Sequence, residues 1–299
     1  MDRRKYISII AILTVIAFIV SPYRDNNNEA VNVFSSKNAS PNGSGLVFIE
    51  PESVEVPILM YHFISKSNSN TNKWKITPSD FEADLKYLSE NGFNTVFLQD
   101  LIDFVTKGTP LPEKPIVISF DDGDSSVHRY AFGLLKKYNM RAVLSVIGRQ
   151  TEEYSSGNIK VTGYYPNLTW EQLKELQDSG VFEIQNHSYD MHNGNGSAIK
   201  SGESMEEYSK RLGSDLTKLN NLIEANLGKT PTVFSYPFGR ISSESRQVLK
   251  DNGFYASLTC HERVNVITEF DNECLFGLGR ILRPRGQSLA TTLAKFMDI

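Results

Sequence analysis

From Leu46 to the C-terminus, short apolar runs alternate with stretches of helical periodicity, and few folds accommodate that rhythm. Strands are predicted at Val56–Tyr61, Thr95–Leu98, Ile116–Phe120, Ala142–Ile147, Phe182–Gln185, Val233–Tyr236, Tyr255–Thr259 and Leu278–Leu282. Several helices between them carry readable start and stop signals. Thr77-Pro78-Ser79-Asp80 forms a variant capping box with proline in the first turn; Phe81, Leu85 and Leu88 line one face, and Asn91-Gly92 ends the helix. A second box, Thr169 to Gln172, opens a helix that stops at Gly180. Further helices are predicted over Val127–Tyr138, Glu203–Leu227, Ser243–Asn252 and Ser288–Phe296. Strands separated mostly by helices predict an α/β fold with a parallel sheet. The form expected is a distorted (β/α) barrel of about seven to eight parallel strands, in preference to an open doubly wound sheet, although periodicity alone does not separate the two. No phosphate-binding glycine fingerprint follows any strand.

The N-terminus follows a different logic. Arg3, Arg4 and Lys5 precede an apolar run from Tyr6 to Val20. That run makes about 22 Å of helix, short of a bilayer core of about 30 Å. It fits the apolar region of a signal peptide, or a signal-anchor if Ser21 to Tyr23 sit at the interface. Pro22, Tyr23 and Arg24 stand where a small-residue cleavage site would be, which favours the anchor and leaves a cleaved signal as the alternative. Residues 24–45 are rich in Asn, Ser and Asp and poor in apolar side chains, a composition suited to a tether. The expected organisation is a signal peptide or signal-anchor over 1–23, a polar linker over 24–45 and a catalytic domain over 46–299. This domain would work at the outer face of a bacterial membrane or in the cell wall, touching the membrane only if the N-terminal segment is retained.

A net charge of −4 lacks the basic surplus of a nucleic-acid binder, so no such partner is expected. Nothing in the sequence calls for an oligomer, and a monomer is expected. Cys260 and Cys274 are the only cysteines; they either pair outside the cell or stay free, and a domain of this size needs no bridge.

In a barrel, functional side chains belong just past the C-terminal ends of strands. Predicted strand Ile116–Phe120 ends in Asp121-Asp122-Gly123-Asp124, and Phe182–Gln185 ends in Asn186-His187-Ser188-Tyr189-Asp190-Met191-His192. Taken alone, the acidic run also reads as a solvated Asp-Gly turn. Two histidines five apart do not share a helix face, but on a loop both can converge on one point. One Asp and two His with room for water describe a catalytic metal site with an open position.

Ser119-Phe120-Asp121-Asp122-Gly123 resembles the first motif of the polysaccharide deacetylases of carbohydrate esterase family 4, and His187-Ser188-x-x-x-His192 resembles the second. The five-residue histidine step is similar to the branch that de-N-acetylates poly-β-1,6-N-acetylglucosamine in biofilms, whereas most of the family steps by four. The resemblance spans about Val56 to Leu282. It implies a metal-dependent hydrolase that removes N-acetyl groups from an extracellular polysaccharide containing GlcNAc, either poly-β-1,6-GlcNAc or peptidoglycan, and releases acetate. Asp121 would be the general base, and Asp122, His187 and His192 would hold one divalent cation, zinc by preference, with cobalt or nickel as alternatives.

Phe234-Ser235-Tyr236-Pro237-Phe238-Gly239 stands for the third motif, which implies substrate-binding roles for Tyr236, Pro237, Phe238 and Gly239. Ser235 occupies the place where many members carry an arginine that orients the catalytic Asp. Gly279-Arg280-Ile281 resembles a late strand of the biofilm branch, and Arg280 is the suggested substitute; a structural strand-end arginine is the other reading. The family's Leu-x-His motif, source of the general acid, is not evident. His261, past strand Tyr255–Thr259, and His62, in Met60-Tyr61-His62, rank level as site-lining candidates. Trp74, Tyr164, Tyr165 and above all Tyr189 are candidates for stacking on sugar rings. Two alternatives remain at this level: an O-acetyl esterase on an acetylated glycan, and a surface carbohydrate-binding protein that lost catalysis.

Overall fold

The computed structural model describes residues 50–66, 73–157 and 166–298, together with the short strands Tyr23–Arg24 and Ala30–Val31. The chain divides into two units, Met1–Pro51 and Glu52–Ile299. In the first, Tyr23–Arg24 pairs antiparallel with Ala30–Val31. The apolar run Tyr6–Val20, most of the 24–45 linker, and Tyr164 and Tyr165 lie outside the described residues. Among the described residues no helix is long and apolar enough to cross a membrane.

Along the second unit the strands are Ser53–Val56 (β1), Ile58–Tyr61 (β2), Asn94–Thr95 (β3), Pro115–Phe120 (β4), Ala142–Val146 (β5), Phe182–Asn186 (β6), Val233–Ser235 (β7), Ala256–Leu258 (β8), Asn265–Thr268 (β9) and Ile281–Leu282 (β10), besides a short parallel pair formed by Phe63–Ile64 and Lys75–Ile76. The helices are Pro78–Glu90 (α1), Leu98–Lys107 (α2), Phe132–Lys137 (α3), Gly148–Ser155 (α4), Trp170–Asp178 (α5), Met205–Leu227 (α6), Ser245–Asp251 (α7) and Leu289–Leu293 (α8). The sheet runs β8-β7-β6-β5-β4-β2-β10, parallel throughout, with β3 beside the start of β4. Its two ends approach each other through Leu278. The Leu278 N–H donates to Ser257 O at 2.8 Å, and Thr259 N–H donates to Leu278 O at 2.8 Å, three residues before β10 begins. This is the distorted barrel that the alternation predicts.

β4 and β5 are buried along their whole length, as strands covered on both faces must be. Alternate residues enter different cores. Leu59, Ile118 and Leu144 join Phe81, Leu85 and Leu88 of α1, whereas Ile58, Val117, Val143 and Val233 join Leu101, Ile102 and Val105 of α2. On that second face the side chains turn polar toward the strand C-termini: Ser119 follows Val117, Ser145 follows Val143 and Ser235 follows Val233. The same period of two carries Asp121 and His187 onto this face, one residue past β4 and β6.

Both predicted capping boxes are present, at Thr77/Asp80 on α1 and Thr169/Gln172 on α5, and α6 has a third at Ser204/Glu207. Elsewhere the local reading is corrected. The predicted strand Val56–Tyr61 is split by Pro57, which has no N–H for a ladder, and β1 pairs antiparallel with β9, a strand the alternation does not announce. The predicted strand Thr95–Leu98 stops at Thr95, because Leu98 opens α2. That helix is capped by Phe97, whose N–H donates to Asp100 Oδ2 at 2.8 Å, so no cap-forming residue precedes its apolar run. Helix α4 is likewise absent from the sequence-based prediction.

Candidate functional site

Asp121 extends the ladder of β4 by one step, its N–H donating to Tyr61 O at 3.2 Å. The next two residues are left-handed, Asp122 at φ 73° and Gly123 at φ 81°. Glycine takes that conformation freely; an aspartate does so at a cost of about 1–2 kcal/mol. The turn is held by Asn167, whose Nδ2 donates to Asp122 O at 2.6 Å. Strain of this kind persists where the surroundings over-determine it, and here it swings the Asp122 carboxylate toward the end of β6.

Two clusters result, side by side. In the first, Arg280 and Asp121 form a buried, two-pronged ion pair, Nη1 to Oδ1 at 2.7 Å and Nη2 to Oδ2 at 2.7 Å. Arg280 Nε donates to Thr259 O at 3.0 Å, so the fork is itself fixed. Burial alone would raise the Asp121 carboxyl, but the Arg280 guanidinium opposes it, and the pKa is held below the ordinary carboxylate value. Asp121 is therefore ionised at neutral pH.

In the second cluster, Oδ1 of Asp122 lies 3.5 Å from Nε2 of His187 and 3.2 Å from Nε2 of His192. One donor atom from each of the three residues falls within 4.8 Å of the others. His187 is buried, and its Nδ1 lies 2.8 Å from Ser235 O. A carbonyl only accepts, so Nδ1 carries a hydrogen, and in the neutral ring of that tautomer the Nε2 lone pair faces Asp122. Oδ1 of Asp122 is buried without a hydrogen bond. A buried carboxylate oxygen left without a hydrogen bond beside two imidazole nitrogens is unfavourable unless a cation lies between them. An O,N,N donor set with a remaining open side fits a divalent transition metal.

The other predicted residues fall in different places. His62 is largely enclosed, its ring 4.5 Å from that of Trp74, and burial lowers its pKa against the opposing pull of Asp121 and Asp122. His261 is exposed; its contribution to the site is a backbone carbonyl that accepts the Arg280 N–H at 3.0 Å. Tyr236 is buried with its hydroxyl 2.7 Å from Ser245 Oγ, and burial pushes its pKa up to about 12. Pro237 is buried, while Phe238 stands at φ 59°, is 49% exposed and has its ring 4.4 Å from that of His192. At Gly239, φ 66°, a Cβ would come within 2.6 Å of Cys260 Cβ, so that turn admits no side chain. Tyr189 points the other way, under the Lys218 ammonium at 3.5 Å from its ring centroid on α6. Cys260 and Cys274 are both free. Sequence reasoning gave no role to the carbonyls of Ser235 and Thr259 or to Asn167. The first two act through the main chain, which every residue possesses, so nothing in the side-chain pattern marks them.

The protein YxkH of Bacillus subtilis, named for the polysaccharide deacetylases, is 31% identical over 205 residues, covering 69% of this chain and 64% of its own length. A poly-β-1,6-N-acetyl-D-glucosamine N-deacetylase of Staphylococcus aureus is 26% identical over 204 residues, covering 68% of this chain and 66% of its own. The chain thus spans slightly less than two thirds of either relative. Among solved structures, a de-N-acetylase from Aggregatibacter actinomycetemcomitans superposes with a TM-score of 0.69 at 25% identity, over 82% of this chain and 100% of that one. The polysaccharide deacetylase family model matches residues 108–257, half of the 299-residue chain and the stretch that holds Asp121, Asp122, His187 and His192, and the chain belongs to that family.

Proposed function

We propose that the chain is a metal-dependent hydrolase that removes N-acetyl groups from a GlcNAc-containing polysaccharide outside the cell and releases acetate. The observation that carries this reading is the convergence of Asp122, His187 and His192 beside an ionised, Arg-held Asp121. Asp122, His187 and His192 would hold a divalent cation, zinc first on donor type, which would supply Lewis acidity toward an acetamide carbonyl and water. The remaining work belongs to side chains. Asp121 accepts the proton of the attacking water, and Arg280 fixes the plane of its carboxylate. Asp121, once protonated by the attacking water, is the group available to return that proton to the leaving nitrogen, because burial favours the neutral ring of His62, which carries no acidic proton. The exposed ring of Phe238 beside His192 offers a face on which a sugar can stack.

Poly-β-1,6-GlcNAc is preferred over peptidoglycan as substrate. The five-residue histidine step and the name of the staphylococcal relative support it. The basic flank and apolar run at the N-terminus support action outside the membrane, with the tether of residues 24–45 between. The distinguishing test compares products. On β-1,6-GlcNAc oligomers, acetate and free amine are expected in equal amounts. Acetate without amine, released from acetylated xylan alone, would replace this reading with an ester hydrolase.

A further inference from the structure

The two histidines of the site are held in different ways. His187 is anchored twice, by its N–H on Val146 O at 3.0 Å and by Nδ1 on Ser235 O at 2.8 Å. His192 has neither anchor among the described residues, and the stretch from 187 to 204 contains no helix or strand. A metal-ligating histidine is ordinarily oriented through its second ring nitrogen. Here the orientation of His192 has to come from the backbone around it.

Side chains of α6 fasten that backbone: Asp215 accepts the N–H groups of Tyr189 at 2.7 Å and Asp190 at 2.9 Å, and Arg211 holds the part beyond them. Arg211 forms a two-pronged pair with Glu203, Nε to Oε1 at 2.6 Å and Nη2 to Oε2 at 2.7 Å. Its Nη2 also donates to Ala198 O at 3.0 Å, and its Nη1 lies 3.7 Å from Sδ of Met191, the buried neighbour of His192. Glu203 in turn accepts the N–H of Lys200 at 2.9 Å. Arg211 therefore grips the loop at its start, middle and end. Tyr208, one turn earlier on α6, adds a bond from its hydroxyl to Ser197 O at 3.2 Å.

We propose that Arg211 is a positioning residue for metal binding, fixing the loop so that Nε2 of His192 faces Asp122. The inference rests on the metal-site reading above and concerns a residue that touches neither metal nor substrate. The planar fork matters as much as the charge, because it holds a carboxylate and a carbonyl at once.

The test uses the full chain, stripped with a chelator and titrated with Co2+ alone. The dissociation constant, the visible absorption of bound Co2+ and the melting temperature of the metal-free protein are recorded for each variant. Arg211→Gln is expected to weaken Co2+ binding by about 10- to 100-fold, the range seen for groups that orient metal ligands. Arg211→Lys is expected to recover part of that loss. In a His192→Ala background, adding Arg211→Gln should cost no further affinity, since the ligand it positions is gone. Wild-type affinity in Arg211→Gln, or an equal loss in both backgrounds, would overturn the proposal. If Arg211→Gln does not fold, Glu203→Gln replaces it with the same two expectations. A wild-type chain that fails to bind Co2+ removes the metal site itself, an outcome readable before any variant is made, and the positioning role falls with it.

Discussion

Replacing Asp121 with asparagine is expected to lower kcat by about 10²- to 10⁴-fold while leaving metal and substrate affinity close to wild type. Asparagine keeps the shape of the side chain and one acceptor for Arg280, but it cannot take a proton from water. Asp121 is not among the three converging donors, so the Co2+ titration should show an unchanged site. Steady-state acetate release measures the first effect and calorimetry the second. Undiminished turnover in Asp121→Asn would remove this residue from the base role, and lost metal binding would instead make it a ligand.

The second large effect is on Arg280. Its guanidinium is wholly buried against an equally buried Asp121. Replacing Arg280 with methionine leaves a buried carboxylate without its partner, at a cost of about 3–5 kcal/mol of stability. The pH dependence should change in a definite direction. In the wild type the Asp121 carboxyl sits below its ordinary value, so the pair contributes stability above the unfolded carboxyl pKa and loses it as pH falls through the folded one. Without Arg280, burial becomes the dominant influence and raises that carboxyl. The acidic limb of kcat/KM is then expected to move to higher pH, and turnover near neutrality to fall. Arg280→Lys should shift the limb less, because an ammonium keeps the charge but cannot hold both oxygens. An acidic limb in Arg280→Met that matches the wild type would mean that Arg280 supports the fold and leaves the base untouched.

The architecture was legible because the parallel strands of a barrel are buried on both faces and announce themselves as apolar runs, as β4 and β5 do. What failed locally has a physical cause in each case. Val96-Phe97-Leu98 has the β-branched and aromatic character of a strand, yet it delivers Leu98, Leu101, Ile102 and Val105 to a buried helix face, and no capping side chain betrays the start. Pro57 ended a ladder that apolar content alone would have continued. At the site, Asp121, Asp122, His187 and His192 could be named from chemistry at strand ends. Arg280 was a weaker inference, since it lies 159 residues from Asp121 and the sequence carries no sign that the sheet curls far enough to bring them together. The difference between His62, enclosed near both carboxylates, and His261, exposed, is likewise set by how two loops fold back. Their neighbours in sequence are equally uninformative.

Deacetylation is expected to depend on a metal held by Asp122, His187 and His192. Acetate release from β-1,6-GlcNAc oligomers by the purified chain, measured after chelation and again after zinc is restored, tests it most directly. Release is expected to be lost on chelation and to recover with zinc, with His187→Ala recovering nothing. Full release from the chelated chain, or full recovery in His187→Ala, would contradict it.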